Sequence, residues 1–180
     1  LGTTAARVEA SFRSQTKAEG IDAAWQTAMT VNDMELIKRV LFLARHADLV
    51  VLGQSDPESS KISVPSDLAE QVILNCGRPV LVVPYAGRFA EVGERVMVAW
   101  NGSREAARAL NGSLPLLACA KHVTLVAINP NMSRKEYGEE PFRPVAAHLA
   151  THGISARCES LWVEDIRAID LLLSRLADEA

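Results

Sequence analysis

The chain has 180 residues, enough for one domain or two small ones, and its 48% hydrophobic and 23% charged content is ordinary for a soluble globular protein. A net charge of −3 supplies no basic face for nucleic acid, and no apolar run approaches the roughly 18 residues that would span a membrane. The start, Leu1 to Arg7, has no basic segment followed by an apolar one, so no signal peptide is expected, and the three scattered cysteines, Cys76, Cys119 and Cys158, read as reduced, buried thiols in a cytoplasmic setting.

Ala5, Val8 and Phe12 are spaced for one helix face, with Gly20 as the stop. Ala23 to Met29 reads as a strand. Asn32-x-x-Glu35 has the form of a capping box, and Met34, Ile37, Leu41 and Ala44 continue as an apolar helix stripe. Leu49 to Leu52 is a buried strand ending at Gly53. A polar loop, Gln54 to Pro65, leads to Ser66, which is placed to cap a helix with the inner face Leu68, Ala69, Val72 and Ile73. Gly77 closes that helix. Val80 to Val83, between Pro79 and Pro84, reads as a strand covered on both faces, as in parallel sheets.

After a linker, a strand is expected over 95–100, a helix over 104–118 with a kink or break at Pro115, and a strand over 123–128. A polar stretch containing Asn129-Pro130 and Glu139-Glu140-Pro141 follows. A helix near 144–151, a strand near 156–162 and a helix near 166–176 complete the order. Alternating strands and helices predict α/β architecture with a parallel sheet.

Gly20-Ile21-Asp22-Ala23 resembles Gly153-Ile154-Ser155-Ala156, and Leu43-Ala44 matches Leu176-Ala177 at the same offset of 133 residues. The expected helices and strands align as well, which implies two homologous units. Residues 1–86 then form the C-terminal part of a first unit, 87–94 a linker, and 95–180 the N-terminal part of a second. On this division each copy is incomplete, either because the chain is a fragment of a longer one or because its ends were lost. One assembly avoids the open sheet edges this leaves: the first copy's last strands lie beside the second copy's first strands, as in a circular permutation.

Three segments carry a resemblance to a known family. Met97-Val98-Ala99-Trp100-Asn101-Gly102-Ser103 is similar to the first strand and turn of universal stress proteins. Ala47-Asp48-Leu49-Val50-Val51-Leu52-Gly53 resembles their fourth strand, and Leu68 to Pro84 their last helix and strand. The resemblance implies a five-stranded parallel sheet flanked by helices, of the Rossmann-like, adenine nucleotide α-hydrolase-like type. It implies dimerisation, as a homodimer or an intrachain pseudo-dimer. It also implies ATP or another adenine nucleotide bound at the carboxyl ends of the strands, where open α/β sheets bind ligands.

Nucleotide-binding members carry Gly-x-x-Gly, a spacer and then Gly-Ser or Gly-Thr, so that backbone approaches phosphate closely. Here the second glycine is Asp56, and the helix start reads Ser66-Asp67. Both changes put carboxylates where phosphate would sit, leaving Gly53 and Ser66 as a remnant. In the second copy Asn101 stands where the family has aspartate, while Gly102 and Ser103 match; an amide still bonds adenine or ribose. The same triplet also suits a turn plus N-cap without any ligand.

His148 and His152, four apart on a helix, have metal-ligand spacing but no third ligand beside them, and a solvated face accounts for them. No Gly-x-Ser-x-Gly, Gly-x-Gly-x-x-Gly or P-loop pattern occurs. Trp25, Trp100 and Trp162 fall in expected strands as packing residues, and Arg104 and Arg108 read as helix-surface charges. The sequence therefore points to a stress-response or regulatory binding module that requires no catalysis. A weak nucleotide hydrolase and a purely structural dimerising unit are the alternatives.

Overall fold

A computed structural model describes residues 2–56, 64–87, 89, 91–130 and 142–178. It contains α1 (Gly2–Ala18), α2 (Asp33–Ala44), β1 (Val50–Gly53), α3 (Leu68–Asn75), β2 (Val80–Val83), β3 (Arg95–Ala99), α4 (Arg104–Cys119), β4 (His122–Ile128), α5 (Arg143–Thr151), β5 (Ala156–Leu161) and α6 (Ala168–Asp178). All strand pairing is parallel, and the chain is α/β. The five strands do not join one ladder. β1 pairs with β2 in one sheet, and β3-β4-β5 form another. No backbone ladder links β1 to β3 among the described residues, so the expected five-stranded sheet is replaced by sheets of two and three strands.

The larger sheet is built around β4. Val123, Leu125 and Ala127 point into a core with Leu110 and Leu117 of α4 and Val145 and Leu149 of α5. Val96, Val98 and Trp100 add the matching face of β3. On the opposite face Val126 is equally buried, and its neighbour in register, Glu159, is held by Arg175 of α6 at 3.0 Å and Arg157 at 2.8 Å. The order β3-β4-β5 carries both crossovers the same way across the sheet, and α4 and α5 share one core on one side of it. The smaller sheet has one covered face: Val50, Leu52 and Val80 pack beneath Val40, Ala44, Val72 and Cys76 of α2 and α3. Val51 on its other face is exposed.

The halves touch through α4. Arg108 donates to the Gly77 carbonyl at 3.4 Å. Gly112 lies so close to Pro79 that a Cβ there would come 2.7 Å from the proline Cγ. At the other end of β4, the backbone N–H groups of Lys121 and His122 both donate to the Glu94 carbonyl, which pins the linker to the sheet. The Lys121 ammonium bonds the Glu94 carboxylate and holds it below its ordinary range.

Helices α1 and α5 end in the same way, 133 residues apart. Gly20 and Gly153 are left-handed, at φ +67° and +74°. Ile21 N–H donates to the Thr16 carbonyl at 2.8 Å, and Ile154 N–H to that of Leu149 at 3.0 Å. Gly20 and Gly153 complete each cap by donating to Lys17 and Ala150. These are Schellman caps, for which glycine is suited because no Cβ opposes positive φ. The chains then diverge. Ile154 is 5% exposed and leads into β5, whereas Ile21 is 60% exposed.

Several expectations are corrected here. Residues 23–29 form no strand: a strand needs a neighbour for its N–H and C=O groups, and none lies alongside among the described residues. Trp25 stacks on Phe12 instead, with centroids 5.4 Å apart. Trp162 lies past the end of β5 and is 68% exposed, so it is not a packing residue. α4 runs unbroken through Pro115. The carbonyl that proline frees belongs to Asn111, an exposed residue where water can satisfy it, while buried Leu110 and Leu117 hold the helix on both sides. Ile73 is exposed rather than on the inner face of α3. Of the cysteines only Cys76 is buried; Cys119 and Cys158 are exposed, and all three are free thiols. Partial burial still pushes the Cys158 thiol above its ordinary value. The capping box at α2 is shifted by one residue: Asn32 accepts from Glu35 N–H at 2.9 Å, but Glu35 reaches back to Val31 N–H at 3.0 Å.

Two stability predictions follow from this packing. Leu125→Ala, at a fully buried site in β4, is expected to cost about 2–5 kcal/mol in denaturant unfolding. Gly112→Ala would gain roughly 1 kcal/mol from helix propensity, but the rigid Pro79 ring must move to admit it, at a cost of about 1–3 kcal/mol. A net loss of stability is therefore expected, and a rise in melting temperature would contradict the contact.

Candidate functional site

The carboxyl end of β3 is the best-defined candidate site. Trp100 N–H continues the ladder to the Val126 carbonyl at 2.8 Å, and the chain then turns sharply. Asn101 accepts from Ser103 N–H through Oδ1 at 3.0 Å, closing an Asx turn. Gly102 sits at φ +72°, a conformation that a Cβ opposes. Ser103 is the N-cap of α4: its Oγ accepts from Ala106 N–H at 3.1 Å, and its carbonyl accepts the first helical bond from Ala107. The turn is thus satisfied internally, while Asn101 and Gly102 remain exposed.

The electrostatics of this turn are mixed. Arg104 donates to Glu105 Oε1 through Nε and Nη2, at 3.0 and 2.8 Å. That pairing, with help from the Glu105 backbone N–H, keeps the carboxyl below its ordinary range. An ionised carboxylate in the first turn complements the helix dipole and competes with any incoming anion.

The remnant phosphate site is elsewhere. Gly53 ends β1, opposite Val83, and Gln54 N–H donates to Val83 at 2.8 Å. A Cβ at Gly53 would meet nothing within 4 Å, so no steric demand explains the glycine. Ser66 is exposed and does not cap α3. The N-cap is Asp67, whose side chain makes no cap bond and instead accepts from Gln71 Nε2 at 3.2 Å. The proposed cap fails because Leu68 N–H turns back to the Pro65 carbonyl and α3 starts one residue later than a Ser66 cap requires. Residues 57–63 of the intervening loop, with Glu58 and Lys61, lie outside the described residues. Among the described residues no hydrogen bond joins Asn101, Gly102 or Ser103 to Gly53 or Ser66.

Three residues have roles that the sequence did not suggest. Asn129 takes a left-handed φ of 44° and clamps the end of β4 to the chain leaving β5. It donates to the Val163 carbonyl at 2.8 Å and accepts from Val163 N–H at 2.9 Å. Its tolerance of left-handed geometry and its place before Pro130 were the available signals. Arg108, taken as a surface charge, reaches across to Gly77. Gly112 of α4 lies closely against Pro79. His148 and His152 stack edge to face at 4.9 Å, and no group of three or more metal-ligating residues occurs among those described.

Ser103→Ala should remove the cap of α4 and cost about 1 kcal/mol. Comparison of unfolding midpoints for this variant and Ser103→Asp, which restores a capping oxygen, would check the assignment.

Searches against protein-family models, curated proteins and solved structures return no match to this chain.

Proposed function

We propose that the chain is a universal stress protein-like regulatory module that binds an adenine nucleotide weakly and requires no catalysis. The observation that carries this reading is the strand–turn–helix at β3 and α4. An exposed amide, Asn101, and a left-handed glycine, Gly102, stand at the carboxyl end of a parallel strand, directly before a helix N-terminus. That is where open α/β sheets take ligands, and where a backbone without Cβ lets an anion approach. In this reading Asn101, Gly102 and Ser103 hold the adenosine end of ATP or a related nucleotide, and Gly53 and Ser66 the phosphate end. Both groups serve one pocket only if β1 docks beside β3 in a five-stranded sheet of order β2-β1-β3-β4-β5. The module would act in the cytoplasm as a homodimer or pseudo-dimer.

The Asn101 bond to Ser103 favours a second reading, a structural unit in which the triplet is only a turn and cap. A hydrolase finds no supporting arrangement among the described residues.

Thermal denaturation with ATP and magnesium separates these readings. Binding stabilises by about 2.7 kcal/mol at a hundredfold excess over the dissociation constant, so a concentration-dependent rise in melting temperature is expected. Asn101→Ala should weaken it by roughly threefold to tenfold, the loss of one hydrogen bond. No shift at about 5 mM nucleotide, together with no nucleotide retained in native mass spectrometry, would leave the structural reading.

A further inference from the structure

The triplet Asn-Gly-Ser occurs twice, at Asn101-Gly102-Ser103 and at Asn111-Gly112-Ser113. An asparagine before glycine is open to attack by the next residue's backbone nitrogen, because no Cβ crowds that nitrogen. Both asparagines are exposed, so exposure does not separate them. Their bonding does. We propose that Asn101 is a site of spontaneous deamidation, converting to isoaspartate and aspartate as the chain ages, while the fold protects Asn111.

The reaction needs only water. The Gly102 nitrogen loses its proton to hydroxide and bonds to Asn101 Cγ. The proton returns through water to Nδ2, which leaves as ammonia, and a cyclic imide remains. Water then adds to one of the two ring carbonyls. Breaking the Cγ–N bond restores the main chain and leaves aspartate. Breaking the bond from the main-chain carbonyl carbon to nitrogen leaves isoaspartate, in which the chain runs through Cβ and Cγ. In both cases water is consumed, ammonia is released and an amide becomes a carboxyl group.

The turn at Asn101 leaves the reacting groups available. The Gly102 N–H, which supplies the nucleophile, makes no hydrogen bond among the described residues. Asn101 Nδ2, the leaving group, is likewise held by none. Asn101 Oδ1 accepts from Ser103 N–H at 3.0 Å, so negative charge forming on that oxygen during attack already meets a donor. At Asn111 the same groups are committed. The Gly112 N–H belongs to the hydrogen-bond ladder of α4. Asn111 Nδ2 donates to the Ala107 carbonyl at 2.8 Å, and Oδ1 meets His148 Nε2 at 3.1 Å. Attack there requires α4 to open between Leu110 and Leu117, both buried.

The two products change the end of β3 differently. Aspartate keeps an acceptor for Ser103 N–H and places a carboxylate beside the start of α4, which the helix dipole favours. Isoaspartate adds a methylene to the main chain before Gly102 and so breaks the register between the turn and its cap. No ligand at the turn is needed for either.

Peptide mapping by mass spectrometry of the full chain, incubated folded at neutral and at alkaline pH, is the test. The peptide holding Asn101 should gain the mass difference between an amide and an acid. It should separate into aspartate and isoaspartate forms, and convert faster in proportion to hydroxide. Conversion at Asn101 should exceed that at Asn111 by roughly tenfold or more, since only Asn111 waits for a helix to open. In denaturant the two identical triplets should convert at similar rates. Asn101→Gln, which would have to close a larger ring, should abolish the change at this position. Equal conversion of the two asparagines in the folded chain, or no isoaspartate at position 101 after alkaline incubation, overturns the proposal. So does a difference that persists in denaturant, because flanking sequence rather than the fold would then set it.

Discussion

Burial of β4 on both faces is the constraint from which most of this structure follows. A strand whose alternate side chains all leave water needs a layer on each side and a neighbour at each edge. β3 and β5 supply the edges and α4 and α5 one layer, and on the other face Arg175 of α6 reaches Glu159 beside Val126. Connections between parallel strands must cross over, so the same requirement places helix starts at the carboxyl ends of the strands. The candidate turn at Asn101 and the clamp at Asn129 both sit there. The exposed polar turns at that end are thus a consequence of how the core is closed.

The two-stranded sheet meets a weaker version of the same demand. Its helices cover one face, and Val51 remains in solvent on the other. Its link to the larger sheet runs through a close approach, Gly112 on Pro79, and one long hydrogen bond from Arg108. Apolar residues Ile169, Leu173 and Leu176 of α6 are likewise exposed. The helix at the equivalent repeat position, α2, packs its own Val40 onto the Val72–Cys76 side of α3.

Local signals made much of this legible in the sequence, and tertiary context limited the rest. The apolar runs at Val80 and Val123, the cap at Ser103 and the stop glycines at 20 and 77 all act within a few residues, so their outcome depends little on what lies elsewhere. The segment from Ala23 to Met29 has strand-like composition but no strand partner among the described residues, and composition does not reveal which edges are available. Ser66 failed as a cap because the geometry of Pro65 and Leu68 moved the helix start. No break occurs at Pro115 because the packing of Leu110 and Leu117 outweighs one lost bond. At the candidate site the residue types were readable, but whether two halves of a pocket meet depends on sheet assembly, which no short motif encodes.

The matched endings of α1 and α5 bear on how the chain acquires its shape. Ile154 is buried and Ile21 is not, yet the cap around each is the same. Tertiary burial therefore does not create the cap; a left-handed glycine and two backbone bonds suffice. Helical turns of this kind form within about a microsecond, whereas parallel pairing waits for distant segments to meet. The helices of this chain can thus end at their proper places before any sheet exists, and a newly emerging chain would already carry its bends while its strands still search for neighbours.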